Sequence, residues 1–246
     1  MTWPWVIVVA SAGVAVGPFL RAVIFSSGTP RGDPRRCNCP ACGHLILGTG
    51  RPARVHLPAS GRCRFCRARI GPPLLAVELL TAAVLAVLAV KATSAWELAA
   101  LGWLAVVAVP LAFIDVAVRR LPDLLTAAAY VGTLSLLVVA ALATHHPGQL
   151  GRAILAGAGL ACLYLLMLFV SPASIGPGDG KLAASVGTAL GWLGWGALVT
   201  GALACFMAAA LFAVGLLALR RARLSDHIAF GPFILLGALA AIAVAV

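Results

Sequence analysis

The sequence predicts an all-α fold: a polytopic membrane protein of about eight transmembrane helices, interrupted once by a small polar insert. Three observations carry that expectation. Of 246 residues, 62% are hydrophobic and 10% are charged, against about 25% charged in a soluble domain. A single core of this size cannot hide so much apolar surface from water. The apolar residues also fall into runs of about 17–24, the length that crosses a hydrocarbon core. Composition thus excludes an ordinary soluble enzyme, a disordered chain and a secreted disulfide scaffold.

Residues 1–25 form the first expected span. They are nearly all apolar, and their first basic residue is Arg21, at the far end. A secretory signal would open on a basic region, so this segment reads as a retained helix. Residues 26–72 are rich in Arg, Pro, Gly and Cys and hold no long apolar run. An insert this short needs a staple to fold. Residues 73–246 read as a seven-helix unit. It breaks near Lys91 to Glu97, Asp115 to Asp123, His145 to Gln149, Ser171 to Lys181, Trp192 to Trp195 and Arg220 to His227. The span from Leu182 to about Gly194 is short and is expected to be tilted or shielded by its neighbours.

Orientation follows from the excess of basic residues expected in cytoplasmic loops. With the insert in the cytoplasm, the loops at 115–123, 171–181 and 220–227 share its side. All of the 18 Lys and Arg except Lys91 and Arg152 then lie on that side or at its edge. The net charge of +11 therefore reports topology and contact with anionic lipid. It is poor support for nucleic-acid binding, since Phe65 is the insert's one clear aromatic.

Five of the seven cysteines lie in the insert: Cys37, Cys39, Cys42, Cys63 and Cys66. Cys39-Pro-Ala-Cys42 and Cys63-Arg-Phe-Cys66 are two CxxC knuckles 20 residues apart, the spacing of a four-thiolate zinc site. A reducing cytosol favours metal over disulfide, and metal binding would supply the missing folding energy. A closed shell of four cysteines is structural, so no chemistry is placed on this metal. Cys37, His44 and His56 are spare ligands. Cys162 and Cys205 are expected to pack as small hydrophobes.

The seven carboxylates can be taken by name. Asp33 is expected in solvent, Glu97 at an outer helix start where an acid complements the dipole, and Asp226 beside Arg220, Arg221 or Arg223. Glu78 lies inside an apolar span, where an ionisable group is costly. A structural partner, such as an insert arginine, and a direct role are both open. Asp115 ends an apolar span in Phe113-Ile114-Asp115, and Asp179 lies in Gly176-Pro177-Gly178-Asp179-Gly180-Lys181. Both fall at the cytoplasmic edge on separate helices. Two apposed carboxylates share a proton, so that one can activate water while the other polarises a carbonyl. Spacing alone leaves a proton path or helix capping open. No Ser–His–Asp or Cys–His set is convincing. His145 and His146 lie on the outer side, and His227 reads as a cap.

Gly176-Pro177-Gly178-Asp179 is a GxGD motif, and it resembles that of the prepilin peptidase (type IV leader peptidase) family of membrane aspartic proteases. Asp115 through Leu121-Pro122-Asp123 resembles the family's other aspartate motif. The segment Gly61-Arg62-Cys63-Arg64-Phe65-Cys66 followed by Val77-Glu78-Leu79-Leu80-Thr81 resembles its bacterial zinc-binding domain, and Phe230-Gly231-Pro232-Phe233 its motif before the last helix. The match is in order over about residues 17 to 237. The resemblance implies an eight-helix protease of the bacterial inner membrane that cuts type IV prepilins and pseudopilins on the cytoplasmic side. The cut would follow a short basic leader and precede an apolar helix. The resemblance further implies that Asp115 and Asp179 are catalytic, that Gly176, Gly178, Lys181, Asp123 and Glu78 support them, and that Cys39, Cys42, Cys63 and Cys66 hold zinc.

Many bacterial members also methylate the new N-terminus with S-adenosylmethionine. The family's first-helix motif reads Gly-Ser-Phe-Leu-Asn, whereas this chain reads Gly17-Pro18-Phe19-Leu20-Arg21. Pro18 is expected to kink the helix end, and the two changed positions bear on that second activity. The rival readings are a proton-coupled transporter and a noncatalytic assembly protein of a pilus or secretion machine. The partners expected are a prepilin or pseudopilin, the bilayer, and no nucleic acid.

Overall fold

The computed structural model describes residues 3–30, 33–47, 60–170, 176–220 and 229–245. The expected sites at His56, Arg221, Arg223, Asp226 and His227 lie outside them. Among the described residues there are eight helices and no strand: α1 Trp3–Ser27, α2 Ala76–Lys91, α3 Ala95–Val118, α4 Asp123–Thr144, α5 Pro147–Val170, α6 Pro177–Leu193, α7 Trp195–Ala218 and α8 Gly231–Ala245. Five of them, α1, α3, α4, α5 and α7, are long and apolar enough to cross a membrane. The chain is thus a multi-pass membrane protein.

Local chemistry explains the helix ends. Ser94 caps α3, its hydroxyl accepting from the Glu97 amide at 3.1 Å, while Thr93 donates to the Glu97 carboxylate at 2.6 Å. Glu97 is thereby buried at the helix start, where an acid suits the dipole. Pro110 sits inside α3 and Pro18 inside α1, as neighbouring helices allow in a membrane bundle. Pro18 does not end α1, which runs on for nine residues to Ser27.

Consecutive helices pack as hairpins, most closely α5 with α6, α7 with α8, α1 with α2 and α3 with α4. Between α5 and α6 the contact is made by small residues: a Cβ on Gly187 would stand 3.0 Å from the Ala156 carbonyl oxygen. Such surfaces let backbones approach where lipid offers no hydrophobic drive. Helix α6 is the short span expected from the sequence, but it starts at Pro177, not Leu182. Its 17 residues reach about 25 Å, and most of them are buried. Shielding by neighbours therefore accounts for its low apolarity. At its far end Arg152 donates to the carbonyls of Gly191 and Trp192, both at 2.7 Å, placing a cation on a helix C-terminus.

Glu78 has a different partner from the one anticipated. It meets Arg21 of α1, not an insert arginine. Arg21 Nε and Nη2 donate to Glu78 Oε1 and Oε2 at 2.5 and 2.7 Å. The same guanidinium donates to the carbonyls of Pro72 and Pro73 at 3.1 and 2.8 Å. Both side chains are buried, and this fork-shaped pairing fixes α1 to α2 and to the end of the insert. Gly17 makes room for it, because a Cβ there would collide with the Glu78 side chain.

Candidate active site and metal centre

The insert folds around its cysteines. Each CxxC turn is closed by amides: Cys39 accepts at its carbonyl from Gly43, and Cys63 from Arg67, at 2.9 and 3.0 Å. Residues Gly43 and Arg67 follow the turns with positive φ. The two knuckles bring Cys39, Cys42, Cys63 and Cys66 together, with all four sulfurs within 4.8 Å of one another. Cys39 Sγ lies 3.7 Å from Cys66 Sγ, and Cys42 Sγ 3.8 Å from Cys63 Sγ. A zinc tetrahedron with 2.3 Å bonds has edges of about 3.8 Å, so the donor set fits. The amides of Cys66 and Phe65 pull the Cys63 thiol down to about 7. The His44 amide also favours a thiolate at Cys42, yet desolvation and then the three neighbouring thiols push it up to about 12. Crowded sulfurs of this kind are what a divalent cation relieves. Cys37 lies outside the cluster, and the His44 ring packs against Phe65 at a 39° tilt, with ring centres 3.6 Å apart. In the spans, Cys205 is buried as expected, whereas Cys162 is exposed.

The second site lies at the helix ends on the insert's side. Helix α3 delivers Asp115 in its last turn and ends when Arg119 adopts a left-handed conformation, donating to the Asp115 carbonyl at 2.7 Å. Leu121 and Pro122 then turn the chain into α4, which begins at Asp123. Helix α6 explains the GxGD spacing. Gly176 is the N-cap, Pro177 occupies the first turn with its φ already helical, and Asp179 stands three residues in. The Asp179 amide donates to the Gly176 carbonyl at 3.0 Å, and the Gly176 amide donates to Asp179 Oδ2 at 2.9 Å. Gly178 is required by contact: a Cβ there would stand 2.9 Å from Leu121 Cβ. The motif thus docks the start of α6 against the α3–α4 turn.

Asp115 and Asp179 line one cavity of about 320 Å³. They are 4% and 6% exposed. Gly176, Gly178, Asp123 and Lys181 line the same cavity. Lys181 Nζ pairs with Asp123 Oδ1 at 2.5 Å across α6 and α4, on an exposed rim. Of the residues named as catalytic or supporting, only Glu78 lies elsewhere, in its pair with Arg21. Pro30 reaches the cavity from the insert, held by Arg120 Nη1 donating to its carbonyl at 3.1 Å.

Three contributors were given no role in the site by the sequence alone. The Gly231 amide donates to Asp115 Oδ2 at 2.9 Å. Tyr164, fully buried in α5, meets Cys205 Sγ through its hydroxyl at 3.3 Å. Its ring packs on Phe206 and Phe230, 5.8 and 6.0 Å away, which steadies the residue just before Gly231. Arg21 appeared only as a changed motif position.

Comparison with known proteins points the same way. Residues 98–219 match the type IV leader peptidase family, and residues 12–92 match the bacterial peptidase A24 N-terminal domain. A prepilin leader peptidase/N-methyltransferase of Aeromonas salmonicida (strain A449) is 37% identical over 225 residues, covering 85% of this chain and 74% of the relative. One of Burkholderia pseudomallei (strain 1026b) is 33% identical, covering 92% and 81%. One of Pseudomonas aeruginosa is 30% identical, covering 80% and 67%. No solved structure matches the chain.

Proposed function

The chain belongs to the type IV leader peptidase family, and on that premise we propose that it is a membrane-embedded aspartic endopeptidase cutting the leader from prepilins and pseudopilins. The observation that carries the reading is the shared cavity of Asp115 and Asp179, two buried carboxylates brought from separate helices. The basic loops support a cytoplasmic active site in a bacterial inner membrane.

Two nearby carboxylates hold one proton between them. The ionised one takes a proton from water as that water attacks the scissile carbonyl, and the protonated one donates to the carbonyl oxygen. The newly protonated carboxyl then gives its proton to the leaving nitrogen while the other takes one from a hydroxyl of the tetrahedral intermediate, which collapses and leaves the dyad again holding one proton. In each carboxylate Oδ2 is anchored by an amide, Gly231 for Asp115 and Gly176 for Asp179. These anchors keep the pair oriented without consuming a side chain. Lys181 and Asp123 would frame the cavity mouth. Zinc would be held by Cys39, Cys42, Cys63 and Cys66 and would stabilise the insert. Single Asp115→Asn and Asp179→Asn variants, assayed on a purified precursor in detergent, test the reading: full cleavage by either one ends it.

The relatives' names also contain N-methyltransferase, which favours methylation of the new N-terminus as a second reading. The first-helix positions do not fit a site for S-adenosylmethionine. Pro18 has no side-chain donor, and the Arg21 guanidinium is taken up by Glu78, Pro72 and Pro73. No methyl-transfer step is assigned to these residues. Transfer of a labelled methyl group to the cleaved product decides this reading apart from cleavage.

A further inference from the structure

The polar cavity accounts for one side of Asp115. A second cavity, of about 260 Å³, lies between α2, α3 and α8, with Val186 of α6 in its wall, and is lined by apolar residues alone. Along α3 it runs from Leu101 to Ala112, about 16 Å of helix at 1.5 Å per residue. Ala108 is buried and Ala112 half-buried, whereas Leu80 on α2 and Leu236 on α8 are exposed. Buried Leu88, Leu101, Leu104 and Ala108 inside, with exposed Leu80 and Leu236 at the edges, describe a lengthwise slot that opens to the lipid.

The inner end of the slot comes within one helical turn of Asp115. Ala112 stands three residues before Asp115, less than one turn. Pro232 lines the slot and directly follows Gly231, whose amide holds Asp115 Oδ2. Polarity therefore changes at the carboxylates, from a cavity edged by Arg119, Asp123 and Lys181 to a purely apolar slot.

Building on the peptidase reading, we propose that this slot seats the apolar helix of a single-span substrate immediately beyond the scissile bond, while the polar leader occupies the 320 Å³ cavity. The slot matches about 11 residues of helix and has the walls of a helix-in-groove site. A chain bound across both cavities places its polar-to-apolar junction at the dyad. A phospholipid tail would also find an apolar surface here, but its phosphate would stand against two carboxylates. A neutral peptide bond meets no such repulsion.

The test compares two substrates of the full-length enzyme in lipid nanodiscs. One is a single-span precursor with its leader. The other is a soluble peptide with the same leader that ends four residues beyond the bond. Ala108→Trp fills the slot. The expected result is a rise in KM for the precursor about tenfold greater than for the peptide. An unchanged precursor KM overturns the proposal, and so does an equal effect on both substrates. As a second measurement, a benzophenone side chain at exposed position 236 is irradiated in an Asp179→Asn background with precursor present. Adducts to the precursor's apolar segment are expected, whereas adducts confined to lipid or to a second copy of the enzyme overturn the proposal. If the wild-type enzyme cuts neither substrate, the peptidase reading itself has failed.

Discussion

Gly231 reaches across 116 positions of sequence to donate its amide to Asp115 Oδ2 at 2.9 Å. That contact ties the start of α8 to the end of α3 and leaves no space for a larger residue. A Cβ on Gly231 would stand 2.8 Å from the same oxygen. Gly231→Ala is therefore expected to displace the carboxylate. Cleavage should fall about a hundredfold in kcat/KM, the scale of a misplaced catalytic group, while the thermal midpoint in detergent moves far less.

Gly178 makes the same demand from α6. Its neighbour is Leu121 Cβ, which is backbone-attached and cannot swing away. Gly178→Ala should push Asp179 out of register, and precursor cleavage should drop as it does for Gly231→Ala. Gly148→Ala provides the comparison, because a Cβ there meets nothing within 4 Å. Its activity should match wild type.

Arg21 and Glu78 form a buried pair, so removing one partner strands the other. Arg21→Leu is expected to cost about 3–5 kcal/mol of stability. The double variant Arg21→Leu/Glu78→Leu should recover much of that loss, as buried pairs replaced by apolar residues often do. Chemical denaturation in mild detergent reads the difference. A double variant as unstable as the sum of the singles would mean that the two do not interact.

The exposed pair of Lys181 and Asp123 should behave otherwise. Both side chains are more than half exposed, and such pairs contribute at most about 1 kcal/mol. Lys181→Ala should leave the unfolding midpoint nearly unchanged. Any effect on cleavage should weaken as salt rises.

The cysteine cluster predicts one bound zinc per chain. Chelation, or Cys63→Ser, should expose the insert to protease while the helical signal persists, since none of the cluster's cysteines lies in a helix. Metal analysis of the purified protein checks the stoichiometry, and limited proteolysis checks the stability.

Much of this was legible because the informative residues are rare. With seven acids in 246 residues, Asp115 and Asp179 stood out, and two CxxC knuckles admit few readings. The helix breaks were visible as interruptions in apolar runs. The start of α6 was misjudged because Gly and Pro read as breakers, although here Gly176 caps the helix and Pro177 opens it. The Arg21–Glu78 pair and the Gly231 anchor depend on which helices touch, and no periodicity reports that in a chain apolar on every face. Tyr164 was hidden for the same reason: nothing in a Leu-rich span marks which side faces the dyad.

The central claim is that Asp115 and Asp179 act as one catalytic unit. Its most direct measurement is the cleavage rate of a purified precursor by wild type, Asp115→Asn, Asp179→Asn and the double variant, each shown to be folded. Residues acting as a unit are not additive. Each single variant should lose about a thousandfold or more, and the double variant should lose little beyond that. Substantial cleavage by either single variant, or losses that multiply in the double, would contradict the account.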